Sequence, residues 1–162
     1  MHLAHESPMK TVTGPGHQAF MEIALEEARR GLAAGEVPIG AVIVADARIV
    51  ARAFNQPIST SDPTAHAEML AIRAACAVRQ SERLADADLY VTLEPCPMCA
   101  TAISFARIRR LYFGAADPKG GGVENGPRVF SQATCHHAPE VYGGIEEMRS
   151  VALLRGFFSA RR

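Results

Sequence analysis

Two stretches far apart in the chain constrain its fold most: Thr64-Ala65-His66-Ala67-Glu68 and Leu93-Glu94-Pro95-Cys96-Pro97-Met98-Cys99. Each is weak alone. A His two residues before a Glu arises often by chance, and a C-x-x-C pair can be a redox dithiol, half of a zinc knuckle, or nothing. Together they offer one imidazole and two thiolates, from His66, Cys96 and Cys99, a donor set suited to zinc. A fold that uses them must bring both stretches to one point. Three protein ligands leave the fourth tetrahedral position open to water, the mark of a catalytic site. Glu68 then becomes a carboxylate beside a metal-activated water, able to carry protons to and from a reacting centre.

H-x-E followed by P-C-x-x-C is the general signature of zinc-dependent nucleobase deaminases. Local geometry agrees with it. Asp62-Pro63 reads as the N-cap and first residue of a helix, which puts His66 and Glu68 in its first turns. Two residues span about 200° around a helix, so the pair cannot share a flank. Side chains lean toward the helix N-terminus, however, and both can converge just beyond that end. Pro95 and Pro97 flank Cys96, and Cys96 and Cys99 fall at i, i+3 on a second helix start, where partial positive charge favours thiolate. The expectation is a zinc held between two helix N-termini. The alternatives are a closed four-ligand site with Glu68 on the surface, or no metal.

At 162 residues the chain is read as one domain, residues 17–162, behind a disordered lead over residues 1–16 that carries His2 and His5. Formal net charge is zero, so a polyanion partner must be held by local basic patches. Cys76 and Cys135 read as free thiols, which fits a reducing cytoplasm. No apolar run is long enough to span a bilayer, and no signal peptide is recognisable.

Apolar residues Phe20, Ile23, Ala24, Ala28 and Leu32 recur at helical spacing from Gln18 to Ala34, with Gly35 as the stop. Val37 to Ala45 reads as a buried strand. Asp46-Ala47 reads as a tight turn into a second strand, Arg48 to Phe54, with Ile49, Ala51 and Ala53 on one face. Asn55 to Asp62 is a loop, and Cys76 a small core residue on the His66 helix. Asp88 to Leu93 is a buried strand delivering Glu94 and the cysteines to the site, followed by a helix from Pro97 to Ala106. Arg109 to Gly114 is another strand, with Leu111 and Phe113 opposite Tyr112. The glycine-rich loop after Asp117-Pro118-Lys119 lacks a P-loop spacing and reads as a turn with a lesser claim to ligand contact. A short helix near Val129 fits the following segment. Cys135-His136-His137 invites a second metal site, but adjacent residues on irregular backbone rarely converge on one ion. Pro139 to Tyr142 fits a short edge strand. Ile145 to Arg162 reads as an amphipathic helix with Met148, Val151, Leu154 and Phe158 aligned. Strands alternating with helices after an opening hairpin argue an α/β protein, a three-layer α/β/α sandwich with a mixed sheet.

From His17 onward the chain resembles the bacterial tRNA-specific adenosine deaminases of the cytidine deaminase-like superfamily. The runs that carry the resemblance are Glu36 to Val42, Asn55, Asp62 to Glu68, Leu89 to Cys96, Cys99, Arg107-Ile108, Phe113 to Ala115, Asp117, Lys119 and the terminal Phe157-Phe158 with Arg161-Arg162. The resemblance implies a five-stranded sheet, a homodimer, one zinc per subunit, and conversion of the wobble adenosine of a tRNA anticodon stem-loop to inosine. It implies zinc ligation by His66, Cys96 and Cys99 and proton transfer by Glu68. It implies contact of Asn55 with the flipped adenosine and a base pocket walled by Val37, Ile39 and Leu93. Asp117 and Lys119 would lie near the flanking nucleotides, and Phe158, Arg161 and Arg162 would hold the anticodon loop. The segment Gly120 to Glu140 departs from the best-known members. A deaminase of free bases or nucleosides, and a non-catalytic zinc-containing RNA-binding module, are the rival readings.

Overall fold

The computed structural model describes residues 15–161; the expected disordered lead lies outside it save for its last two residues, which open the first helix, and Arg162 also lies outside. Helix α1 (Pro15–Ala33) turns Met21, Ala24, Leu25 and Ala28 inward, and Gly35, at φ +80°, reverses the chain after it.

A five-stranded mixed sheet follows, in the order β2-β1-β3-β4-β5: β1 (Gly40–Ala45), β2 (Arg48–Phe54), β3 (Asp88–Leu93), β4 (Arg110–Ala115) and β5 (Glu140–Tyr142). β1 is antiparallel to both neighbours, while β3, β4 and β5 run parallel. The β1–β2 turn is Asp46-Ala47, both at positive φ (50° and 58°), the conformation whose twist suits a two-residue hairpin. A register shift between Ile43 and Val44 leaves an extra residue in β2. That bulge breaks the alternation expected of the strand. Ala51 is buried and Val50 and Ala53 pack on the core, but Ile49 is turned out to solvent, contrary to the sequence reading.

Helices cover both faces, as expected of a three-layer α/β/α sandwich. On one side α3 (Ala67–Arg79) and α4 (Pro97–Phe105) pack Ala67, Ala71, Ile72, Ala75, Ala100 and Ile103 onto Ile43, Leu89, Val91, Leu111 and Phe113. On the other, α1 covers Val42, Val44, Tyr90 and Tyr112. There Tyr90, Tyr112 and Tyr142 pair in register across β3, β4 and β5 and stack at centroid spacings of 4.5 and 5.0 Å.

Helix α5 (Glu147–Ser159) lies beside α1 on that face, but it buries a different stripe from the one expected. Ser150 and Phe157 are inside and Leu153 and Leu154 half-buried, whereas Met148 is 82% and Phe158 53% exposed. The period of the pattern is right; the helix is rotated about its axis so that another set of i, i+3, i+4, i+7 positions meets the sheet. A one-turn helix, α2 (Pro57–Thr60), lies in the expected Asn55–Asp62 loop, and Val129–Ser131 is a turn of 3-10 helix. Among the described residues no helix is long and apolar enough to cross a membrane.

Candidate metal centre and active site

Helix α3 starts four residues later than Asp62-Pro63 suggests. Asp62 spends its carboxylate on a local turn, accepting from the Thr64 N–H at 2.8 Å and the Thr64 hydroxyl at 2.7 Å. His66 is thereby the N-cap of α3 (φ −71°, ψ 153°), and Glu68 lies in its first turn. Cys96 holds the same position in α4 (φ −69°, ψ 171°), with Pro97 at its first helical position and the Cys96 Sγ accepting the Cys99 N–H at 3.5 Å. Both helices thus point their N-termini, the ends that favour negative charge, at one spot.

At that spot the His66 Nδ1 lies 3.6 Å from Cys96 Sγ and 3.5 Å from Cys99 Sγ. A tetrahedral zinc about 2.3 Å from sulfur and about 2.0 to 2.1 Å from imidazole nitrogen requires N···S edges of about 3.5 Å. The donor triangle therefore fits zinc in chemistry and in size. Among the described residues His66, Cys96 and Cys99 are the one group of three or more such donors able to share an ion.

Cys135, His136 and His137 do not form a second. The Cys135 thiol donates to the His137 carbonyl at 3.2 Å, the His137 Nε2 lies 2.8 Å from the Ile108 carbonyl, and the His136 carbonyl accepts from Arg107 at 3.0 Å.

The electrostatics follow from crowding. A hydrogen bond from the Cys99 thiol, opposed by burial and helped by His66, holds the Cys96 thiol down to about 4. The same contact and burial push Cys99 up. The pair shares one proton, and a bound cation takes that proton's place. Glu68 is 4% exposed, and burial pushes its carboxyl above the usual range; its own backbone N–H and His66 offset part of the effect, and Cys96 adds to it. A carboxyl so placed, beside the donor triangle, is positioned to take up and return a proton.

The other expected site residues line up at one end of the sheet. Extending the β1–β3 register two residues past Ala41↔Val91 sets Ile39 opposite Leu93. The Asn55 N–H donates to the Ile39 carbonyl at 3.1 Å, and Leu93 pairs with Ala115, two residues before Asp117. Asn55, Ile39, Leu93 and Asp117 thus stand at the same end of the sheet, at or just past the carboxyl ends of the parallel strands β3 and β4, where open α/β sheets bind ligands. The Gln56 N–H donates to the Ala65 carbonyl at 2.9 Å, which ties this row to the start of α3. Val37, half-buried, lies in the loop before β1.

Lys119 is exposed on the loop after β4. Arg161 is drawn to the loop before β1: its guanidinium sits 4.1 Å from the Phe157 ring and donates to the Gly35 carbonyl at 2.7 Å. Phe158 packs edge-on against Phe157 at 5.2 Å.

Two of the buried acids adjoin this row in the chain and had no role assigned from the sequence. Glu36 accepts the Ile58 and Ser59 N–H groups at 3.3 and 2.8 Å, fixing α2. Glu94 gathers the loop after Asp117. The available signal was a carboxylate at the edge of an apolar run, a place where an acid stays only if it is bonded.

The fold and this donor set define a zinc-dependent deaminase of the cytidine deaminase-like class. A family model described as the cytidine and deoxycytidylate deaminase zinc-binding region matches residues 15–115. The chain is 62% identical over 143 residues to the tRNA-specific adenosine deaminase of Agrobacterium fabrum (strain C58), covering 88% of this chain and 94% of that protein. A solved structure from biochemical and structural studies of A-to-I editing by tRNA:A34 deaminases matches with a TM-score of 0.83 and 62% identity, covering 84% of this chain and 99% of that one. A guanine deaminase from Nitrosomonas europaea, 23% identical, shares the fold (TM-score 0.73, covering 93% of this chain and 87% of that one). The chain belongs to the tRNA-specific adenosine deaminase family.

Proposed function

We propose that this protein converts the wobble adenosine of a tRNA anticodon to inosine by hydrolytic deamination. The observation that carries the chemistry is the buried Glu68 carboxyl in the first turn of the helix whose N-cap, His66, faces both cysteine sulfurs at zinc-matching distances. The substrate follows the relatives, which are named as tRNA-specific adenosine deaminases.

Zinc held by His66, Cys96 and Cys99 supplies a water of lowered pKa, about 7 in well-studied zinc enzymes. The Glu68 carboxylate takes a proton from the attacking water as oxygen bonds to the amino-bearing ring carbon. It passes that proton to the adjacent ring nitrogen, then carries the remaining proton of the added hydroxyl to the amine; the C–N bond breaks as the carbonyl forms and ammonia leaves, so that one water is consumed per inosine. Asn55 hydrogen-bonds the extruded base, and Val37, Ile39 and Leu93 wall it. Asp117 and Lys119 meet the flanking nucleotides, and Phe158, Arg161 and Arg162 grip the anticodon loop. Unstacking a base costs less in such a loop than in a duplex.

The active form is a homodimer in the cytoplasm, a compartment that suits four unpaired cysteines. Light scattering at twice the 17.4 kDa chain mass tests the dimer. Two stem-loops of equal composition, one with adenosine at the wobble position and one with it displaced, test the substrate. Inosine in the first alone is the expected result; inosine in both, or in neither, contradicts it. Binding should weaken steeply with salt, since Lys and Arg contacts to phosphate release counterions.

A further inference from the structure

Glu94 carries a carboxylate that is 2% exposed and has no basic partner within ion-pair distance among the described residues. Its charge is met by five donors from one loop. Oε1 accepts the Asp117 N–H at 3.1 Å and the Asn125 side-chain amide at 2.7 Å. Oε2 accepts the N–H groups of Val123, Glu124 and Asn125, each at 3.1 Å. Successive N–H groups converging on one anion form a nest, here filled by the protein's own side chain.

The loop so gathered is pressed on the metal-binding turn. The Gly122 N–H donates to the Pro95 carbonyl at 2.8 Å. A Cβ on Gly122 would fall 2.6 Å from Pro97 N and 2.9 Å from the Cys96 carbonyl carbon, and one on Gly121 would fall 2.3 Å from Glu94 Oε2. Only glycine permits this approach. Asp117 in turn shapes the outer part of the loop, its Oδ1 accepting the Lys119 and Gly120 N–H groups at 3.2 and 3.0 Å. One carboxylate therefore connects Cys96 on one side to Asp117 and Lys119 on the other.

We propose that Glu94 is a positioning residue, fixing the 117–125 loop to the Cys96 turn so that the part of the enzyme that grips the nucleotides flanking the target adenosine is held in register with the metal centre. This rests on the tRNA reading above. A buried acid that merely fastens a loop would affect folding alone, whereas Glu94 in this role also sets KM for the RNA.

The test uses the full-length, zinc-loaded enzyme and an anticodon stem-loop with adenosine at the wobble position. Glu94→Gln keeps the shape but turns one end of the side chain into a donor facing donors. Expected are one zinc per chain, faster amide exchange confined to 117–125, a KM raised at least fivefold and a kcat within about threefold of wild type. Asn125→Ala, which removes one of the five donors, should shift KM the same way by less, and serves if Glu94→Gln does not fold. An unchanged KM, with activity falling only in step with the folded fraction, overturns the proposal for either variant. So does unchanged exchange of the loop. Failure of the wild-type enzyme to deaminate the stem-loop would instead strike the substrate reading, a separate outcome.

Discussion

His66 and Cys96 occupy the same position in two helices: each is an N-cap in extended conformation, and their donor atoms stand 3.6 Å apart. An N-cap side chain normally turns back to satisfy its own helix. Cys96 does so through the Cys99 N–H, but His66 makes no side-chain cap bond and its ring faces the sulfurs. Ligation and helix initiation are thus one structural event, and the macrodipoles of α3 and α4 help to hold thiolate charge between them.

Replacing either cysteine should therefore cost both metal and fold. Cys96→Ser and Cys99→Ser are expected to lose zinc and melt at lower temperature. Cys76→Ser and Cys135→Ser should retain one zinc per chain. Metal analysis beside thermal melting reads both quantities, and chelation of the wild type should lower its Tm as ligand linkage requires.

Glu68 is expected to serve chemistry at the expense of stability. Glu68→Gln removes the proton carrier while easing the burial of a carboxyl that is 4% exposed. Turnover should fall at least about 10²-fold, the scale of lost general acid–base catalysis. Zinc content should be unchanged, and Tm unchanged or higher. A variant with near wild-type turnover would remove Glu68 from the mechanism.

The α5–sheet contact contains a buried hydroxyl, Ser150 Oγ, without a hydrogen-bond partner among the described residues. Ser150→Ala should be neutral or stabilising by up to about 1 kcal/mol, since an unsatisfied buried polar group costs of that order. Gly114→Ala should destabilise, because its Cβ would fall 2.4 Å from that oxygen and 2.5 Å from the Thr92 carbonyl. Denaturant melts should show an unchanged or higher midpoint for Ser150→Ala and a lower one for Gly114→Ala.

Across the α1–α5 contact, the hydrogen bond from Arg149 holds the Glu22 carboxyl below its ordinary range, opposed by burial and with help from Arg29. A lowered folded-state value means that the stabilisation is complete above the ordinary carboxyl range and lost as pH falls through the folded value. Both side chains are well exposed, which limits the pair to under about 1 kcal/mol. Arg149→Ala should melt slightly below wild type at pH 7, and the gap should close as acid takes the pH below the ordinary carboxyl range and through the lowered Glu22 value.

Much of this was legible in the residues. Periodicity and punctuation placed the strands, the Asp46-Ala47 turn and α4, and donor chemistry singled out His66, Cys96 and Cys99. What was not legible depended on tertiary choice. Asp62-Pro63 has the chemistry of a helix start, but Asp62 found a nearer partner in Thr64 and α3 began at its ligand instead. Ile49 was turned out by a bulge that no local residue announces. The stripe of α5 had the right period and the wrong phase, because only packing against the sheet fixes rotation. The row Asn55, Ile39, Leu93 and Asp117 comes from strand order, and the bonds of Glu94 from a loop more than twenty residues away.

The most direct test offers purified, zinc-loaded protein an anticodon stem-loop with adenosine at the wobble position, in parallel with free adenosine, cytidine, cytosine and guanine. Nucleoside analysis by mass spectrometry should find inosine in the stem-loop and no turnover of the free compounds. Turnover of a free base or nucleoside with the RNA untouched would contradict the account: the metal centre and Glu68 would stand, and the substrate would not.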